Sequence, residues 1–153
     1  MATKEQEMAA TAEKLADLEF VRCKVPQCIP RELIEAVKGK SFTPEEFYKY
    51  QAINVDNPGN FLFALIDESK RIHGYLWAEQ NSLDGSLFVN TFSVGKEHWG
   101  RGGAIAKVVA FLDQLRQKVK ANRTYWITTN EKFFAKQGFK RSKNVLMEYN
   151  SAI

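Results

Sequence analysis

Between Leu87 and Lys120 the sequence commits the chain to a strand, a glycine-rich turn and a helix in direct succession. The run Leu87-Phe88-Val89-Asn90-Thr91-Phe92-Ser93-Val94 is apolar and strand-like, and it passes through Gly95-Lys96-Glu97-His98-Trp99 into Gly100-Arg101-Gly102-Gly103. Beyond the glycines, Ile105, Val108, Val109, Leu112, Leu115 and Val119 fall on one stripe at helical period. Lys107, Asp113, Gln117 and Lys118 lie elsewhere around that helix. The first N–H groups of such a helix have no intrahelical partner, and the positive end of its dipole faces the turn. Glycine at 100, 102 and 103 removes the Cβ atoms that would keep a ligand away from those amides. No Ser, Thr, Asp or Asn stands at the junction as an N-cap. The stretch predicts a phosphate cradle, with a purely geometric strand-to-helix turn as its alternative.

Two familiar cradles do not fit. A P-loop closes with Gly-Lys-Ser/Thr, and Gly102-Gly103-Ala104 has neither the lysine nor the hydroxyl. A dinucleotide fingerprint requires G-x-G-x-x-G, and Ile105 stands where the third glycine belongs.

The stretch resembles the acyl-CoA loop of the GNAT superfamily of N-acyltransferases. There a valine ending the fourth strand is followed by a short polar run and Gln/Arg-x-x-Gly-x-Gly/Ala opening a helix. Here Val94 precedes Trp99-Gly100-Arg101-Gly102-Gly103-Ala104; Gly102 and Ala104 match, and Trp99 replaces the Gln or Arg. A second phrase, Phe134-Ala135-Lys136-Gln137-Gly138-Phe139 followed by Val145-Leu146-Met147-Glu148-Tyr149, is similar to the family's closing Tyr-x-x-x-Gly-Phe and final strand pair. Phe134 takes the tyrosine's place.

The resemblance implies one α/β (α+β) domain over residues 18–153, preceded over residues 1–17 by an N-terminal helix or flexible extension. Its central sheet is expected to be mixed and largely antiparallel, with one β-α-β unit whose parallel fourth and fifth strands splay around an acyl-CoA. The resemblance also implies that the backbone of Trp99, Gly100, Arg101, Gly102, Gly103 and Ala104 holds the CoA pyrophosphate. Phe92 and Val94 on the fourth strand, with Asn130 and Phe134 after the fifth, are the other acetyl-CoA contacts it implies.

With 153 residues, 44% of them hydrophobic, the chain suffices for one core. Its longest apolar run, Phe61-Leu62-Phe63-Ala64-Leu65-Ile66, is far too short to span a bilayer, and the charged, Ala-rich start is no secretory leader. A cytoplasmic monomer or homodimer without membrane partners is expected. Cys23 and Cys28 have neither a second cysteine pair nor clustered histidines beside them, so structural thiols and no metal are expected. The net charge of +4 suits an anionic partner such as acetyl-CoA, while the scatter of Lys and Arg gives nucleic acid only weak support.

In chain order, a first strand is read at 18–24 and a helix from Pro30 to Val37. A second helix begins at Thr43, with Pro44 in its first turn, Glu46 completing a capping box and Phe42 with Phe47 as a hydrophobic staple. Phe42, Phe47, Tyr48 and Tyr50 either form core or shape the acceptor site that the resemblance places there. Strands follow at Phe61–Asp67 and Ile72–Gln80, then an Asp84-Gly85 turn, and after the long helix a fifth strand at Thr124–Thr129. A short helix, Glu131–Gln137, ends at Gly138.

Acetyl transfer to an amine needs a neutral nucleophile, and deprotonating an amine of pKa near 10.4 at neutral pH costs roughly 4–5 kcal/mol without help. Many GNAT enzymes use a glutamate on the fourth strand as base, and Phe88 occupies that position here. Asn90 is the candidate to hold a water, and Glu79, on the neighbouring strand, is the nearest carboxylate, with a solvated strand end as its alternative. His73 shares the face of Glu79, and His98, in the loop, is expected to be exposed. Phe134 cannot donate a proton to the departing thiolate, which near a thiol pKa of about 8.5 is a tolerable leaving group unaided. The resemblance therefore implies an N-acetyltransferase moving acetyl from acetyl-CoA to a primary amine of a small molecule or protein. Its alternatives are a weak or inactive CoA-binding or interaction module, and an acyltransferase acting on aminoacyl-tRNA.

Overall fold

The computed structural model describes residues 15–37, 42–99, 103–128 and 131–142. Along them the chain forms β1 (Glu19–Arg22), α1 (Arg31–Glu35), α2 (Pro44–Asn54), β2 (Asn60–Ile66), β3 (Ile72–Gln80), β4 (Leu87–Val94), α3 (Gly103–Lys118), β5 (Thr124–Trp126) and α4 (Glu131–Lys136). The strands lie in one sheet in chain order. Neighbours pair antiparallel from β1 to β4, and β4 pairs parallel with β5, with α3 as the crossover. This is the mixed, largely antiparallel α/β sheet that the sequence implies.

The alternation along β3 decides which layer each residue enters. Leu76 and Ala78, with Leu87 and Val89 of β4, pack beneath Val108, Leu112 and Leu115 of α3. Tyr75 points the other way, into a cluster with Leu62, Ala64, Ile29, Leu33, Ile34 and Phe47 under α1 and α2. A third cluster joins Leu15, Leu18, Leu65 and Val94 to Ala104 at the entry of α3.

The start of α2 forms as its sequence dictates. Thr43 Oγ1 accepts from the Glu46 amide at 3.1 Å, the Thr43 amide donates to Glu46 Oε1 at 3.0 Å, and the Phe42 and Phe47 rings stack at 6.0 Å.

Several expected boundaries move. β2 begins at Asn60 and stops at Ile66, because Asp67 opens a turn in which its Oδ1 accepts from the amides of Ser69 and Arg71. The helix expected from Pro30 to Val37 is the shorter α1. β5 has three residues rather than the expected run to Thr129. It pairs with Leu87, Phe88 and Val89 and stops beside the point where β4 bulges at Asn90, since a bulge bends and twists its strand away from a neighbour. The expected final strands at 145–149 and the segment before Leu15 lie outside the described residues.

Candidate active site

The β3–β4 register steps from Ala78↔Val89 to Trp77↔Thr91, so Asn90 has no partner opposite it on β3. Its side chain turns to the neighbouring strand, where Nδ2 donates to Glu79 Oε1 at 2.7 Å. The second oxygen, Oε2, accepts from the Tyr50 hydroxyl of α2 at 2.6 Å. Glu79 and Asn90, both singled out from sequence, thus meet, and Tyr50 is the member of the aromatic set on α2 that joins them. Each carboxylate oxygen has one partner and retains acceptor capacity for another donor. The hydrogen bond to Glu79, reinforced by burial, pushes the Tyr50 phenol up to about 12. Tyr50 remains 38% exposed, so the group is open to solvent.

A buried polar network seats α2 at the distance this contact requires. Asn60, at the start of β2, donates through Nδ2 to Gln51 Oε1 at 2.9 Å and accepts the Trp77 indole N–H at 2.9 Å. The Trp77 ring lies 5.2 Å from that of Tyr50. By contrast Phe47 is 1% exposed and belongs to the core, and Tyr48 donates its hydroxyl to the Ile29 carbonyl at 2.6 Å.

On the far edge of β4, pairing with β5 ends at Val89↔Trp126, while β4 continues to Val94. From Asn90 onward that edge has no strand partner on the β5 side among the described residues. Phe92, half-buried, packs towards Trp126 at 6.4 Å, and Trp126 in turn meets Phe134 at 4.8 Å. Phe134 is 8% exposed and also touches Phe139 at 5.4 Å, so it fills an aromatic cluster. The Val94 carbonyl accepts the Trp99 indole N–H at 2.8 Å, while Trp99 stays 56% exposed.

At the start of α3, Ala104 is buried beside Leu15 and Val94. A Cβ on Gly103 would stand 3.0 Å from Leu15 Cδ1, so that glycine admits an apolar side chain of the same chain. Gly100, Arg101, Gly102 and Asn130, expected at the cofactor, lie outside the described residues.

The expectation for His98 is overturned. The 3-10 turn Lys96–His98 tucks its ring under β3, leaving it 2% exposed, with Nε2 at 3.0 Å from His73 Nδ1. Cys23 and Cys28 are free thiols. A cavity of about 980 Å³ between α3, β5 and the segment after α4 shares no residue with the Tyr50–Glu79–Asn90 group. No helix among the described residues is long and apolar enough to cross a membrane.

No protein-family model matches the sequence, and no curated protein matches it. Solved structures do match in fold. The chain is similar to an acetyltransferase from Trypanosoma brucei at 16% identity, with 88% of this chain and 99% of that chain covered and a TM-score of 0.62. It is also similar to glucosamine-6-phosphate N-acetyltransferase from Arabidopsis thaliana at 18% identity, covering 86% and 97%, with a TM-score of 0.59. A predicted acetyltransferase with acetyl-CoA from Clostridium acetobutylicum shares 10% identity over 86% and 96% of the two chains, with a TM-score of 0.63. The order of strands and the parallel β4–β5 pair agree with these likenesses: the chain has the fold of these acetyltransferases.

Proposed function

We propose that the chain is an N-acetyltransferase that moves an acetyl group from acetyl-CoA to a primary amine of a small molecule or protein. One observation carries this reading. A carboxylate held from two sides, Glu79, lies next to the bulge of β4, whose opposite edge has no strand partner from Asn90 to Val94 among the described residues.

The unpaired edge offers backbone groups to an extended thioester arm, which suits acetyl-CoA. When bound, acetyl-CoA supplies the activated acyl group. Glu79 takes the proton from the incoming ammonium, directly or through a water. Asn90 and Tyr50 fix the carboxylate so that its remaining lone pairs face the amine. Two of the similar structures support the reading by their own descriptions: a glucosamine-6-phosphate N-acetyltransferase supports an amine acceptor, and a predicted acetyltransferase with acetyl-CoA supports the donor.

The test is calorimetric titration with acetyl-CoA, followed by thiol release with a panel of amines, for the native chain and Glu79→Gln. We expect binding in both forms and turnover in the native form, reduced in the variant by roughly 10²–10⁴-fold, the usual worth of a positioned base. Binding without turnover against every amine would make the chain a CoA-binding module, and no binding would end the proposal.

A further inference from the structure

The turn after β4 gathers three potential ligands from two elements. His73 Nδ1 of β3 and His98 Nε2 lie 3.0 Å apart, and Glu97 Oε1 is 3.5 Å from each of those nitrogens. A four-coordinate zinc with bonds of about 2.0–2.1 Å separates adjacent ligand atoms by ~3.3 Å. The observed triangle therefore has the dimensions of one tetrahedral face.

Two further features orient these atoms. Asp67 Oδ2 lies 2.8 Å from His73 Nε2, and the other oxygen of that carboxylate is tied to the amides of Ser69 and Arg71. This contact assigns the His73 proton to Nε2 and turns the Nδ1 lone pair towards the triangle, as a carboxylate behind a ligating histidine does. The Glu97 carboxylate folds back over Gly95, where an added Cβ would stand 2.6 Å from Oε2. Only a residue without a side chain permits that approach.

A metal-free account exists, in which His98 Nε2–H donates to His73 Nδ1 and His73 Nε2–H donates to Asp67. It uses both protons and leaves Glu97 Oε1 facing a pair of nitrogens that have none to offer it. A cation at the centre satisfies all three ligand atoms at once. The His98 and His73 side chains are 1% and 16% exposed and that of Glu97 is 53% exposed, so the nitrogens are held inside while the carboxylate side opens to solvent.

We propose that His73 Nδ1, His98 Nε2 and Glu97 Oε1 bind a divalent transition-metal ion of the zinc class, with a water as fourth ligand. Two imidazoles and one carboxylate suit such an ion better than the all-oxygen shells of calcium or magnesium. The ion pins the turn Lys96–His98, which joins Val94 to Trp99. The cysteine spacing points to no metal because the histidines meet only through β3–β4 pairing.

The experiment uses chelator-treated, tag-free protein carrying Cys23→Ser and Cys28→Ser, which removes the thiols as competing ligands. Zinc chloride is titrated by calorimetry and cobalt(II) by visible spectroscopy. We expect one ion per chain, tetrahedral cobalt bands without a thiolate charge-transfer band, and a rise in Tm with zinc. Glu97→Gln, at an exposed side chain, should keep the metal-free Tm and weaken zinc at least tenfold, and Asp67→Asn should weaken it by roughly 10–100-fold. Failure to bind zinc, or an affinity that Glu97→Gln leaves unchanged, would overturn the proposal and leave a His–His hydrogen bond only.

Discussion

Replacing Asn60 by Ala should cost far more than a surface polar residue does, because its amide holds two elements of the site. The change removes the bond to Gln51 Oε1 and the bond from Trp77 Nε1, both 2.9 Å. A hydrogen bond contributes about 1 kcal/mol net, but a buried group left unpaired loses its full desolvation cost of about 1–3 kcal/mol. Gln51 is 1% exposed and its Nε2 has no partner among the described residues, so losing the bond at Oε1 leaves the whole amide unpaired, at the upper end of that range. Trp77 is half-buried and falls at the lower end. Together these terms give about 3–4 kcal/mol, a large share of the roughly 5–15 kcal/mol that stabilises a typical domain. Urea unfolding followed by tryptophan fluorescence and far-UV circular dichroism measures it. Gln51→Met serves as partner variant, and the double variant should be less damaged than the sum, since removing both partners leaves fewer orphans. A loss below about 1 kcal/mol in Asn60→Ala would refute the claim that this network seats α2.

Other perturbations test the supports of the same site. Thr43→Ala removes the side-chain half of the capping box, the acceptor for the Glu46 amide, and leaves the backbone half; it should lower stability by about 1 kcal/mol in urea unfolding, with Ser restoring most of it. Gly74→Ala places a Cβ 2.5 Å from the Ser93 carbonyl oxygen and 2.8 Å from Val94 Cγ1, so β3 and β4 must separate; a loss of about 2 kcal/mol or more is expected from overpacking against backbone. Glu79→Gln should let the Tyr50 phenol titrate below its native value of about 12, followed by NMR of ring-labelled tyrosine. Because the unfolded phenol ionises near 10, the stabilisation from the Tyr50–Glu79 contact is whole below about pH 10 and is lost as the pH rises towards 12. A native Tyr50 titrating near 10 would contradict the short contact.

The features that could be read from the sequence are those whose causes lie within a few residues. Thr43, Glu46, Phe42 and Phe47 sit within one turn of each other, and their cap and staple form as the spacing dictates. The same holds for the strand ending at Val94 and the helix from Gly103 to Lys118, where the hydrophobic period needs no distant partner to be recognised. Glu79 and Asn90 were legible as neighbours because both follow from strand pairing across one hairpin. Tyr50 was not, because its hydroxyl reaches Glu79 from 29 residues upstream and only the docking of α2 selects it from its aromatic neighbours. His98 shows the reverse error. Its local sequence is polar and loop-like, and what buries it is His73 on a strand 25 residues earlier.

Gly103 marks where this kind of inference divides. A residue without Cβ at a helix entrance permits close approach, and that much is legible in the sequence. Close approach by what is decided elsewhere: at 103 it is the methyl of Leu15, from a segment preceding the first strand. The same absence at Gly95 lets a carboxylate fold towards two histidines. A glycine cluster therefore specifies vacancies, and each vacancy takes its meaning from a partner that the fold supplies. One string of small residues can in this way serve an apolar contact and a polar cluster within ten positions of the chain.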